Sequence, residues 1–320
     1  MFMLVIILLI SFLASFVLFP AMIIRLKKAG IVGKNMNSKT KEEVAEMGGL
    51  VIVAGFGAGM FTVIAVKTFF NIFPSVDLIS ILVALSTILI VVLIGIFDDL
   101  VSMPQQVKAF MPLLAALPLI VIKEGSTFIR LPFWGNVNFG LLYTLIIMPL
   151  EVTIAANAVN MLAGFNGLEV GMGIIAVGSL AIIAYLLGKI TVLVILLAAL
   201  GSLLAALYFN WFPAKILVGD VGTLSIGAII AAAVIMGNFE IAGVILLIPY
   251  VIDFLIKAKN RFPYSFGVYR GGKLYCPGGG PVGLGQLIMK VCGGISERNL
   301  VLLLMGIEAA CGVMAILLYV

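Results

Sequence analysis

The chain of 320 residues contains no histidine, and its only cysteines are Cys276, Cys292 and Cys311. An odd number of cysteines without metal-ligand spacing implies neither a disulfide framework nor a zinc site, and the missing imidazoles remove the commonest zinc ligand. Charge is also scarce. Only 10% of residues are charged against 63% hydrophobic, with a mean hydropathy of +1.30, far outside the range of a soluble domain. The apolar runs do not alternate, which excludes a membrane barrel and leaves transmembrane helices. No nucleotide P-loop is present. The Gly-rich CPGGGPVGLGQ at 276–286 lacks GxxxxGK[ST] and follows no strand, while GFGAG at 55–59 lies inside an apolar run and reads as a helix-packing face. There is no clear repeat, no low-complexity tract and no separate soluble domain, so residues 1–320 read as one polytopic membrane domain.

Runs able to cross about 30 Å of hydrocarbon occur near 2–24, 48–70, 76–97, 109–122, 139–156, 172–188, 190–209, 222–237, 240–256 and 299–320. The first lacks a basic leader and is long enough to span, so it reads as a retained helix rather than a signal peptide. The fold expected is an all-α integral membrane protein of about ten transmembrane helices. If these alternate, the loops 25–47, 98–108, 157–171, 210–221 and 257–298 share one side, and they hold 15 of the 19 Lys and Arg. That side is then cytoplasmic and both termini are extracytoplasmic. The net charge of +5 reflects these loops rather than nucleic-acid binding.

The same face collects the polar residues that need explaining. Asp98 and Asp99 in GIFDDL end a long apolar run, where the helix dipole disfavours acids. A cation, or Lys108 ten residues on, accounts for them better than solvent does. Asp220 follows FNWFPAKILVG and is either the N-cap of the next helix or a group facing a shared pocket. Between two apolar runs lies NAVNMLAGFNGLEVG at 157–171, whose asparagines supply neutral ligands and whose glycines allow sharp turns. Amide oxygens and carboxylates without His or usable Cys suit a hard cation such as magnesium, with manganese as its substitute. Glu151 and Asp253 read as groups supporting the cytoplasmic mouth, and Glu308 as snorkelling or hydrogen-bonding between helices. Together these features point to magnesium-dependent chemistry on a phosphorylated, nucleotide-linked substrate, with a lipid as second substrate.

The motifs AGIVGKNMNSK at 29–39, AEMGG at 45–49, GIFDDL at 95–100, Lys108, NAVNMLAGFNGLEVG, FNWFPAKILVGD at 209–220 and NRFP at 260–263 follow one another along nearly the whole chain. In this order they resemble the polyprenyl-phosphate N-acetylhexosamine-1-phosphate transferases, most closely the archaeal and eukaryotic branch that uses UDP-GlcNAc and dolichyl phosphate. The resemblance implies transfer of GlcNAc-1-phosphate to a polyprenyl phosphate with release of UMP, the first step of lipid-linked oligosaccharide synthesis. It implies ten spans with both termini outside and the active site at the cytoplasmic face. It assigns Asn160 and Asp220 to magnesium and Asn166 to uracil, with Gly164 and Leu168 lining that pocket. Lys108 meets phosphate, Asp98 orients or deprotonates the lipid phosphate with Asp99 in support, and Glu46 lines the nucleotide-sugar site. A homodimer is compatible with this family.

Three departures qualify the match. Where the eukaryotic branch has RHRxP, this chain has Lys259, Asn260, Arg261, Phe262 and Pro263. Arg261, and with it Lys259, is expected at the sugar diphosphate, and the missing histidine cluster argues against a MurNAc-pentapeptide substrate. Leu217 stands where the eukaryotic members have an aromatic residue. The loop before the last span is short, which favours an archaeal member acting in the plasma membrane. Two rivals stand beside this reading: the same reaction with another UDP-HexNAc donor, and a secondary transporter using intramembrane acids.

Overall fold

A computed structural model describes residues 2–38, 40–131 and 134–319. Lys39, counted above in the first basic loop and in the AGIVGKNMNSK motif, lies outside the described residues. The helices are α1 (Phe2–Lys28), α2 (Gly49–Phe70), α3 (Leu78–Val101), α4 (Gln105–Phe110), α5 (Pro112–Ala115), α6 (Leu117–Val121), α7 (Met148–Leu162, entered through the π-helical turn Tyr143–Ile147) and α8 (Leu168–Leu186). They continue as α9 (Ile190–Asn210), α10 (Gly219–Gly237), α11 (Glu240–Leu246), α12 (Ile248–Lys259), α13 (Leu284–Val291) and α14 (Glu297–Leu317). Helices prevail because each satisfies its own backbone hydrogen bonds where no water is available.

Among the described residues, eight helices are long and apolar enough to cross a membrane, or nine if α11 and α12 count as one bent span. Two of the ten expected runs therefore depart from a continuous helix. The run 109–122 falls into α4, α5 and α6, because Pro112 and Pro118 lack the N–H that a continuing helix needs and each sits at the start of a new one. The run 240–256 breaks between α11 and α12, which meet at 55° with Pro249 in the first turn of α12. Among the described residues, three antiparallel hairpins lie outside the helices: β1 (Val32–Lys34) with β2 (Glu43–Ala45), β3 (Phe128–Leu131) with β4 (Gly135–Asn138), and β5 (Val268–Arg270) with β6 (Lys273–Tyr275).

Helix α10 is the hub, buried along almost its whole length and packed on α2, α3, α7, α8 and α9. Its neighbours come this close because the crossings are lined by glycine. A Cβ on Gly49 would stand 2.1 Å from the Gly222 nitrogen, one on Gly95 2.6 Å from the Val221 Cα, and one on Gly227 2.3 Å from the Ala155 carbonyl oxygen. Without a hydrophobic driving force in lipid, such close backbone packing is a main source of helix cohesion. The GFGAG stretch divides by face in the same way. Gly55 and Gly59 press on Ser15 and Ala198, whereas a Cβ on Gly57 meets nothing within 4 Å.

The connecting segments collect at two ends. At one, the Asp77 N–H donates to the Thr191 hydroxyl, and Asn238 accepts from the Ser126 N–H. At the other, the loops around 37, 98–108, 163–167, 210–220 and 260–283 meet, the five polar segments singled out above. There β2 continues beside the chain entering α10: the Leu217 N–H donates to the Ala45 carbonyl at 2.8 Å and the Gly48 N–H to the Leu217 carbonyl at 2.9 Å. The first turns of α2 and α10 are thereby held side by side.

Gly49→Ala and Gly95→Ala are expected to lower thermal stability in detergent by about 1–3 kcal/mol each, the usual cost of overpacking. Gly57→Ala should leave the melting temperature unchanged, and equal melting of all three variants would refute the close-packing account.

Candidate active site

The C-terminus of α3 brings Asp98 to the floor of the polar end, 7% exposed, where its Oδ1 accepts the Met103 N–H at 2.8 Å. Helix α4, which begins four residues after α3 ends, returns Lys108 onto it. The Lys108 ammonium lies 2.5 Å from Asp98 Oδ2 and 2.7 Å from Asp220 Oδ2, joining the end of α3 to the start of α10. Asn157 on α7 keeps α4 in place by donating to the Ala109 carbonyl at 3.0 Å. One turn on, the Asn160 amide donates to Asp220 Oδ1 and, at 2.8 Å, to the Thr223 hydroxyl. Asp98, Lys108, Asn160 and Asp220 thus form one connected cluster from four helices.

Asp99 is turned the other way. Its two oxygens accept the N–H groups of Asp220 at 2.8 Å and Val221 at 3.1 Å, so a carboxylate from α3 caps α10. This is the stabilising position for an anion at a helix dipole, which answers why an acid ends α3. Asp220 is accordingly not the N-cap. It lies in the first turn, with its own N–H capped and its carboxylate free to face the cluster. Gly219 is required beneath Asp99: it has φ +67°, and a Cβ there would stand 2.6 Å from Asp99 Oδ2. Glu46 follows β2 and lies near Gly33 and the Asp220 charge. Burial first, and the Asp220 charge second, push its carboxyl above the usual range.

Three backbone N–H groups of the turn between α7 and α8 are bound inside the protein. The Gly164 N–H goes to Glu169 Oε1 at 3.2 Å, the Asn166 N–H to Glu297 Oε1 at 2.9 Å, and the Gly167 N–H to Asn210 Oδ1 at 3.1 Å. Gly164 adopts φ +121° and faces Phe266, and its carbonyl accepts the Asn37 amide at 2.7 Å. Asn37 Oδ1 in turn accepts the Gly267 N–H at 3.3 Å, so one amide ties three loops. Leu168 is fully buried at the start of α8 and belongs to the core.

Lys259 and Arg261 are exposed at the end of α12 and make no ion pair among the described residues; the structure does not join them to the carboxylate cluster. The nearest lysine that is anchored is Lys257. It pairs with Asp253 at 2.9 Å and donates to the Met161 carbonyl beside Asn160, which places the α12 terminus against the end of α7. Asp253 also caps α13 through the Leu284 N–H at 2.7 Å. Glu308, expected to snorkel or to bond between helices, does neither: it is 0% exposed and neither oxygen has a partner among the described residues.

Sequence reasoning overlooks Asn37, Asn210, Lys257 and Glu297. Asn37 and Asn210 stand within quoted motifs, but nothing local shows that their partners are loops more than forty residues away. Glu297 opens α14, and an acid in the first turn of a helix is ordinary by itself.

The Lys108 ammonium pairs with Asp98 and Asp220, and the carboxylates of Asp99 and Glu46 stand close enough to Asp220 to feel its charge. Such an excess of partly buried negative charge favours a bound cation. No group of three or more His, Cys, Asp or Glu among the described residues is arranged as a metal cage. Magnesium does not need one, since it takes one or two carboxylates and completes its octahedron with water and phosphate oxygens. The donor set therefore fits that ion.

Residues 81–238 match the family model described as glycosyl transferase family 4. A protein of Saccharolobus solfataricus, provisionally named a UDP-N-acetylglucosamine–dolichyl-phosphate N-acetylglucosaminephosphotransferase, is 41% identical over 97% of this chain and 95% of its own length. A protein of Sulfolobus acidocaldarius with the same provisional name is 40% identical over 91% of this chain and 88% of its own. The enzyme of that name from Dictyostelium discoideum is 24% identical over 93% of this chain and 84% of its own.

Asp99→Ala removes both acceptors from the start of α10 and is expected to lower stability by about 1–2 kcal/mol, as loss of a helix cap does. Asp98→Asn keeps the Met103 acceptor and should melt close to the parent protein. Thermal melts of the two variants in detergent check this, and the reverse order would show that Asp99 is not a structural cap.

Proposed function

Because the chain belongs to glycosyl transferase family 4, we propose that it transfers GlcNAc-1-phosphate from UDP-GlcNAc to a polyprenyl phosphate of the dolichyl type. The observation that carries this reading is the bridge from Asp98 through Lys108 to Asp220 and Asn160, a cation-seeking cluster at the common end of the bundle. An oxygen of the lipid phosphate attacks the β-phosphorus of UDP-GlcNAc, the bond between that phosphorus and the oxygen bridging to the α-phosphorus breaks, and UMP leaves. The product is GlcNAc-diphosphate-polyprenol.

Each residue has a part in this reading. Lys108, already held between two carboxylates, is placed to meet phosphate oxygens. Asp98 orients the lipid phosphate, which is largely dianionic at neutral pH and needs no strong base. Asp99 keeps the start of α10, and with it Asp220, in place. Asp220 and Asn160 would hold magnesium, or manganese in its stead. Asn160 donates to Asp220 in the present rotamer, and half a turn of its amide presents Oδ1 instead. What such an ion supplies when bound is neutralisation of the charge that grows on the departing UMP. Asn166 meets the base, with Gly164 and Leu168 shaping the turn around it, and Glu46 lines the donor site. Lys259 and Arg261 reach the sugar diphosphate from the α12 side.

The ten crossings of the family are counted here as eight long helices, the bent α11–α12 pair and the broken α4–α6 segment. The polar end faces the cytoplasm of a plasma membrane, since 15 of 19 Lys and Arg belong to the segments on that side.

Release of UMP from UDP-GlcNAc is expected to require both a polyprenyl phosphate and magnesium, and no turnover with this donor while another UDP-HexNAc is used would reassign the substrate. Asp220→Ala and Asn160→Ala should each reduce magnesium-dependent turnover by about a hundredfold or more while the protein still folds. Full activity in either variant sinks the metal assignment.

A further inference from the structure

Helix α7 carries both asparagines that organise the cluster, Asn157 against Ala109 and Asn160 against Asp220, and it stops two residues after the second. The last four carbonyls of a helix lack intrahelical donors, and the chain after α7 turns away too soon to reach Met161. Ala163 leaves the helix with ψ 165° and Gly164 turns at φ +121°. The N–H groups of Gly164, Asn166 and Gly167 are then taken by Glu169, Glu297 and Asn210. The donor that does reach the Met161 carbonyl comes from another helix. It is the ammonium of Lys257 on α12, a lysine only 7% exposed.

An ammonium in this position satisfies an orphan carbonyl and opposes the negative end of the helix dipole at once. Its own place is fixed from behind. Asp253, one turn earlier on α12, pairs with it at 2.9 Å and also accepts the Leu284 N–H at 2.7 Å, so the ammonium is held between a carboxylate tied to α13 and the end of α7. We infer that Lys257 is a positioning residue: it caps α7, keeps the last turn of that helix from fraying, and so holds the Asn160 amide against Asp220. It acts through the backbone of α7 rather than on a ligand. The inference rests on the reading above that Asn160 and Asp220 hold a divalent ion.

The test uses the full-length protein in detergent, titrated with Mn2+ in the presence of UDP and followed by the electron paramagnetic resonance of the free ion, together with the kinetics of UMP release. Lys257→Met keeps the reach of the side chain and removes its donors and charge. It is expected to weaken Mn2+ binding by about fivefold or more, the scale of one partly buried charge at a helix terminus. The magnesium concentration for half-maximal turnover should rise by the same factor, with kcat at saturating magnesium little changed. Lys257→Arg keeps donors and charge and should recover most of the lost affinity. A Lys257→Met protein that melts earlier but binds Mn2+ as the parent does overturns the inference, since the lysine is then structural only. Hydrogen exchange of the parent gives a check without any variant: the amides of residues 158–162 should be as protected as those in the middle of α7, and rapid exchange of that last turn overturns the inference as well. If the parent neither binds Mn2+ nor releases UMP, it is the proposed function that falls.

Discussion

The carboxylates of Asp98 and Asp220, from the end of α3 and the start of α10, repel one another, and the Lys108 ammonium between them offsets that repulsion. Removing Lys108 would leave the two carboxylates facing each other without their cation, whereas losing either carboxylate leaves the ammonium paired with the other. The arrangement thus ties the chemistry to the packing. Glycine at 49, 95 and 222 permits the close crossing, Asp99 caps the helix that crosses, and Asp220 is displayed as a result. The same carboxylate excess that makes the cluster demanding to build makes it receptive to a divalent ion.

Much of this is legible in the sequence. The apolar runs that became eight long helices are continuous and lack proline at their centres or carry it where it is tolerated. The two that broke, 109–122 and 240–256, both contain proline, and hydropathy averaged over a window is blind to where the missing N–H falls. The three hairpins are shorter than any periodicity can reveal. The grouping of polar segments on one side follows from alternation alone, without knowledge of packing.

The site is legible in part, and the boundary is physical. Asp98, Asp220 and Asn160 stand out because acids and amides at the ends of apolar helices are expensive unless matched. Their distances are set by α4, whose return path depends on Asn157 reaching the Ala109 carbonyl, and no local pattern encodes that. Asp99 and Asp98 are adjacent and chemically identical in the sequence, yet one faces the cluster and the other caps a helix. Glu297 escapes for the opposite reason: it looks like an ordinary helix start, and its meaning comes only from the loop 131 residues earlier in the chain.

Asn37 has a different consequence. Its single amide spans the carbonyl of Gly164 and the N–H of Gly267, so the first hairpin segment, the turn before α8 and the loop after α12 share one fastening. Segments joined in this way open together rather than one at a time. Exchange of their amide protons with solvent would then follow one common opening event, slower than the fraying of any of the three loops alone.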